Sequence, residues 1–147
     1  MPHVVRSTII DASTDRVWAV LRDFNSHDRW HPEVATSQIE RNQTPDRIGC
    51  VRRFKLADGS ELREQLLALS DLEQSMSYCL LDTPIPMFNY VAHVRLLPVT
   101  DGDRTFWHWE SRFTTPPGDE KRLADMVGDQ IYQAGFEAIR KHLSEAS

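Results

Sequence analysis

Apolar and polar residues along the chain follow two periods, and the switches between them mark the elements. Residues 4–10, VVRSTII, are rich in β-branched types and predict a strand. From residue 17 the period becomes helical: Val17, Trp18, Val20, Leu21 and Phe24 share a face. Ser13 is placed as the N-cap, and Asp15 sits in the first turn, where a carboxylate suits the helix dipole. This helix ends near Asp23. The following NSHDRW allows a second short helical turn, and Pro32 disfavours helix at His31. Six strand-like runs come next, over 34–41, 48–56, 61–70, 75–82, 89–98 and 104–114. Asp58-Gly59 and Asp101-Gly102 each separate two such runs and read as hairpin turns. The segment 83–88, TPIPMF, has two prolines and is excluded from central sheet.

The last segment, 119–145, is a long amphipathic helix. Leu123, Val127, Ile131, Ala134 and Ala138 fall on one face, and the arc widens to Tyr132, Phe136 and Ile139. Arg122, Asp129, Gln133 and Arg140 lie opposite. Consecutive hairpins imply an antiparallel sheet, and one long helix with an apolar face must lie across it. The expected fold is therefore α+β: seven strands curled around one C-terminal helix, with two short helices between strands 1 and 2. Such a sheet has more concave surface than one helix fills, which predicts a cavity. The alternative is a sheet packed flat, with none.

The second Asp-Gly turn sets a register. If it is a two-residue loop, Leu96 faces Trp107, Val94 faces Trp109, Ala92 faces Ser111 and Tyr90 faces Phe113. That face is almost wholly apolar. The other pairs His93 with Glu110 and Arg95 with His108, which suits solvent. A slip of one residue would destroy both patterns. At the first turn a two-residue loop pairs Arg53 with Glu64, whereas a bulge pairs Arg52 with Glu64 instead. Pattern alone leaves open whether Glu64 faces in or out.

Composition narrows the function classes. A chain of 147 residues fits one domain, 1–147, and a net charge of −5 argues against a nucleic-acid footprint. No apolar run reaches the ~20 residues of a membrane span. No signal peptide is read at the N-terminus, so a cytoplasmic location is expected. Cys50 and Cys79 lack zinc-site spacing and are expected to be free. His27 and His31 are four apart, but Pro32 ends any helix there and no third ligand is evident, so no metal is expected. No cofactor is expected either, because no dinucleotide, phosphate-loop, hydrolase or metalloprotease motif occurs.

Several motifs occur in a particular order: VWAVLRDF, RWHP, GCVRRF, DGSELREQLLALSD, PMFNYVAHVRLLP, WESRF and the terminal IYQAGFEAIRKHL. Together they resemble the START-like superfamily called SRPBCC, which includes the birch-pollen-allergen-like proteins. Within it the chain is most similar to bacterial polyketide cyclase/dehydrase-like proteins, and more distantly to the plant abscisic acid receptors (PYR/PYL/RCAR). The resemblance spans nearly the whole chain. It implies a helix-grip fold with a ligand cavity between sheet and helix. It further implies that Glu64 and Tyr90 face that cavity. Ala92 falls where the receptors have a small polar residue. His31 falls where they have a lysine that pairs with the hormone's carboxylate. Their gate loop is replaced here by the tight hairpin Lys55–Ser60, so a hormone-gated receptor is not expected.

The expected guest is a small, largely apolar or amphipathic molecule. Glu64, Tyr90 and His31 are expected to orient it, and Glu64 either pairs with Arg52, Arg53 or His31 or takes a raised pKa. Met87, Phe88, Trp107, Trp109, Val127 and Ile131 supply walls, with Ala92 and Ser111 on the same inward face. Two function classes follow. One is a binding or carrier module. The other is a metal-independent cyclase, aromatase or dehydratase in which Glu64 and Tyr90 transfer protons. A third possibility is a module that docks another protein through TPIPMF. A monomer or homodimer is expected.

Overall fold

A computed structural model describes residues 1–145 of the chain. Seven strands form one curved antiparallel sheet: β1 (His3–Ile10), β2 (Val34–Ile39), β3 (Val51–Leu56), β4 (Glu61–Ser70), β5 (Ser75–Asp82), β6 (Phe88–Val99) and β7 (Arg104–Thr114). Their order across the sheet is β1-β7-β6-β5-β4-β3-β2. Every consecutive pair from β2 to β7 is a neighbour, as a chain of hairpins requires. Helix α1 (Thr14–Leu21) carries the chain from one edge of the sheet toward the other. Ser13 Oγ caps it, accepting from the Arg16 amide at 3.3 Å. A 3-10 turn, His27–Arg29, then leads into β2.

The two Asp-Gly turns differ. At the second, Leu96↔Trp107, Val94↔Trp109 and Ala92↔Ser111 pair as expected, and His93↔Glu110 and Arg95↔His108 face outward. The register slips only between Phe88 and Val91, next to Asn89, whose φ is +55°. At the first, Arg52 pairs with Glu64 and Phe54 with Leu62. The Leu56 amide bonds to the Ser60 carbonyl, and Gly59 takes φ +89°. This is a three-residue loop with a left-handed glycine at its end, and the extra residue turns Arg52 and Glu64 to the inner face.

Helix α2 runs over residues 120–145 in three stretches: α-helical Glu120–Asp125, π-helical Met126–Gln133 and α-helical Ala134–Glu145. A π turn bonds i to i+5 and takes up one more residue than an α turn. The buried positions accordingly run Leu123, Val127, Tyr132, Phe136, Ile139 and Leu143, with a step of five between Val127 and Tyr132. This corrects the uniform spacing expected from sequence. Ala134 and Ala138 are only half-buried, and Ile131 moves to the flank of the buried face.

Under α2 the sheet is filled by aromatics. Trp107 and Trp109 stack at 5.4 Å, Trp109 stacks on Tyr132 at 4.2 Å, and Phe136 meets Trp107 edge-on at 4.7 Å. Gly135 permits this packing, since a Cβ there would lie 2.9 Å from Trp109 Cζ3 and 3.4 Å from His31 Cδ2.

Candidate functional site

The core has two parts. The main apolar cluster extends from Val4 to Leu143, and a small one consists of Val34, Phe54 and Leu62 on β2, β3 and β4. Leu80 packs against both. Between them is a cavity of about 110 Å³. Phe54, Leu62 and Val34 form its outer wall, while Met76, Val94, Trp107 and Trp109 form the wall toward the main core. Ile85 and Met87 from the connection after β5, with Ile131 from the π stretch, complete it.

Polar groups line the cavity in three sets. Arg52 and Glu64 form a buried pair in which Nε and Nη2 both donate to Oε1, at 2.9 and 2.7 Å. Arg52 Nη1 donates to the Phe24 carbonyl at 2.9 Å, and the guanidinium carbon lies 3.9 Å from the centre of the Phe24 ring. Both hydrogen bonds from Arg52 to Glu64 thus fall on one carboxylate oxygen. Oε2 has no protein partner among the described residues, and the Glu64 side chain keeps 10% exposure at the cavity. Burial raises the Glu64 pKa, opposed by the charge and hydrogen bonds of Arg52.

His31 and His27 are neutral anchors. The Glu33 amide donates to His31 Nδ1 at 3.2 Å, so Nε2 carries the proton and donates to the Ile131 carbonyl at 2.9 Å. Both nitrogens are consumed within the protein. This differs from the expected role of His31 as a cation or donor for an acidic ligand, because it has no free nitrogen to offer. Burial lowers its pKa, with the Ile131 hydrogen bond and Glu33 opposing. His27 Nε2 is 3.0 Å from Ser37 Oγ, and Ser37 donates onward to Asn25 Oδ1. Burial, and then the charge of Arg52, hold His27 well below the ordinary histidine range. Among the described residues no group of three histidine, cysteine or acidic side chains is arranged to hold a metal.

Three phenols lie on the helix side. Tyr90 OH and Tyr132 OH are 2.6 Å apart, and Trp109 Nε1 donates to Tyr78 OH at 3.1 Å. Burial first, and then neighbouring phenols, push all three well above the ordinary tyrosine pKa. Ser111 Oγ lies near Tyr90 and Tyr132 but outside hydrogen-bond geometry. It and Trp107 Nε1 are buried without a partner.

Of the residues expected at the site, His31, Arg52, Glu64, Met87, Tyr90, Trp107, Trp109 and Ile131 line the cavity. Four do not. Phe88 is 51% exposed, on the outer side of the strand from Met87. Ala92 and Ser111 face each other, fully buried, under α2. Val127 lies one helical turn too far from the hollow and is packed in the main core. Sequence reasoning missed Tyr78 and His27. Tyr78 was visible in the alternation of Met76, Tyr78 and Leu80 with Ser75 and Ser77. His27 carries no sequence signal, because the buried side of the 3-10 turn is set by the tertiary fold.

Comparison with known proteins agrees with this fold. The family model described as polyketide cyclase / dehydrase and lipid transport matches residues 1–144. The chain belongs to that family. Among solved structures, an uncharacterised protein from Bacillus thuringiensis is 25% identical, with a TM-score of 0.86 over 97% of this chain and 99% of that one. A START superfamily protein from Mycobacterium smegmatis is 13% identical, with a TM-score of 0.82 over 99% of both. An aromatase/cyclase from a Streptomyces species is 18% identical, with a TM-score of 0.81 over 98% of this chain and 94% of that one. These likenesses establish the helix-grip, START-like fold. No curated protein matches. No helix among the described residues is long and apolar enough to cross a membrane.

Proposed function

We propose that this family member binds a small, mostly apolar molecule in the cavity between the sheet and α2. The carrying observation is the buried Arg52–Glu64 pair at the cavity wall, with one carboxylate oxygen unpartnered. A buried ion pair rarely stabilises a fold more than an apolar pair of similar size would. Its presence beside a hollow suits recognition of a guest. The volume of about 110 Å³ is of the order of the ~150 Å³ cavity known to take benzene. A single-ring molecule fits that scale, while a multi-ring chain requires Ile85 and Met87 to move outward. The protein is proposed to act in the cytoplasm, as a monomer or homodimer, without a cofactor. Native mass spectrometry of protein from its own host tests this: a reproducible co-purifying mass supports it, and mass-free protein that binds no apolar probe contradicts it.

The second reading is a metal-independent cyclase or dehydratase, favoured by the upward shift of the Glu64 pKa. Glu64 and Tyr90 are the proposed proton carriers. Tyr90 has a proton to give when Tyr132 donates across their shared hydrogen bond, and Tyr78 OH, which accepts from Trp109, keeps its own. Glu64→Gln separates the two readings. Turnover of a co-purified ligand by the wild type, abolished in the variant with binding retained, supports the enzyme. Bound ligand recovered unchanged from the wild type supports the carrier.

A further inference from the structure

The polar atoms of the cavity are mostly spent on one another, and those left over select a type of guest. All three nitrogens of Arg52 are engaged, on Glu64 and on the Phe24 carbonyl. Both nitrogens of His31 are engaged. The Ser37 hydroxyl gives its proton to Asn25, so His27 Nε2 holds a proton, and burial opposes a second on the ring. Tyr90 is tied to Tyr132. Two groups remain. Glu64 Oε2 is an acceptor without a partner. Tyr78 accepts from Trp109 Nε1, and its own O–H has no acceptor among the described residues. They sit on adjacent strands, Glu64 pairing with Leu80, two residues from Tyr78 on the same face of β5.

We infer that the cavity selects an uncharged guest bearing a hydroxyl or primary amide, which donates to Glu64 Oε2 and accepts from Tyr78 O–H, and that it rejects carboxylates. This rests on the ligand-binding reading above and adds the charge of the guest to it. The one cation in the wall is already neutralised by Glu64. A carboxylate guest would gain no free positive charge and would face Glu64 across a low-dielectric space. An ammonium guest would meet Glu64 but also Arg52, after losing its hydration. A hydroxyl supplies one donor and one acceptor at no charge cost, matching Glu64 Oε2 and Tyr78 O–H.

Trp30, Trp107 and Trp109 line the cavity, so tryptophan fluorescence reports occupancy. The probes are toluene, benzyl alcohol, benzamide, benzoate and benzylamine, each titrated at neutral pH. Benzyl alcohol or benzamide is expected to bind roughly tenfold or more tighter than toluene or benzoate, the scale of one hydrogen bond to a charged group. Tyr78→Phe is expected to reduce the preference for benzyl alcohol over toluene. Glu64→Gln, by leaving Arg52 uncompensated, is expected to reverse the order of benzoate and benzyl alcohol. Should Glu64→Gln not fold, Arg52→Met/Glu64→Leu is the control. It is expected to bind toluene and lose the alcohol preference. Benzoate or benzylamine binding the wild type as tightly as benzyl alcohol overturns the inference and leaves the cavity reading intact. Failure of all five probes, toluene included, overturns both.

Discussion

The two halves of the sheet pack against their surroundings in opposite ways. Under α2, strands β6 and β7 meet the helix with Trp107, Trp109, Tyr132 and Phe136 in ring-to-ring contact. Toward β2, β3 and β4 the helix no longer covers the sheet. There Val34, Phe54 and Leu62 form a separate cluster across the hollow, with an ion pair in its wall. The first half is built for stability. The second half gives up packing and buries charge, the arrangement on which the proposed binding site rests.

That contrast can be broken most severely at the charged wall. Glu64→Ala leaves Arg52 buried and alone, an expected loss of about 3–5 kcal/mol by urea unfolding, while Arg52→Met/Glu64→Leu is expected to be neutral or stabilising. In the filled half, Phe136→Ala is expected to cost about 3–5 kcal/mol, whereas Leu62→Ala, beside an existing void, should fall near the low end of core truncations at about 2 kcal/mol. Equal costs for these two would erase the distinction between the halves.

The glycines of α2 sharpen it further. Gly135→Ala drives a methyl against the Trp109 ring and His31, an expected loss of about 1–3 kcal/mol. At Gly128 the nearest obstacle is the far end of the Arg6 side chain, which can swing away. Gly128→Ala is therefore expected to gain up to about 1 kcal/mol from helix propensity.

Acid should act on the hollow half. His27 and His31 have folded pKa values below the model-peptide 6.5, so the unfolded chain takes up protons first as pH falls. Their contribution is intact above about pH 6.5 and is lost as pH drops below it. Thermal midpoints measured downward from neutral pH should decline from that point, and His27→Gln should flatten the decline. The smallest effect belongs on the outer face, where Glu110 pairs with His3 at 2.7 Å and His108 at 3.3 Å. The His3 and His108 hydrogen bonds hold the Glu110 carboxyl below its ordinary pKa despite some burial. Glu110→Gln is expected to cost under about 1 kcal/mol, fading with salt.

The same contrast explains what was legible in the sequence. Where packing is continuous, alternation of side chains fixes most of the register: β6 and β7 pair as the Asp101-Gly102 turn dictates from Val99 to Val91, the expected Tyr90–Phe113 pair is lost to the slip beside Asn89, and the aromatics that alternation places inward are inward. At the other hairpin, one extra loop residue decides whether Arg52 or Arg53 meets Glu64, and no hydrophobic pattern penalises either choice. The π stretch was equally hidden, since moving the buried face from Ile131 to Tyr132 exchanges one apolar residue for another. His27 Nε2 and His31 Nε2 depend on contacts ten and a hundred residues away. Local pattern carries no trace of these.

The hollow itself can be tested by crystallography under xenon pressure, since the gas enters apolar space without needing the correct ligand. The expected result is ordered xenon bounded by Phe54, Leu62, Met87 and Trp107. Phe54 and Leu62 collapsed onto Met76 and Trp107, with no xenon between the two clusters, would contradict it.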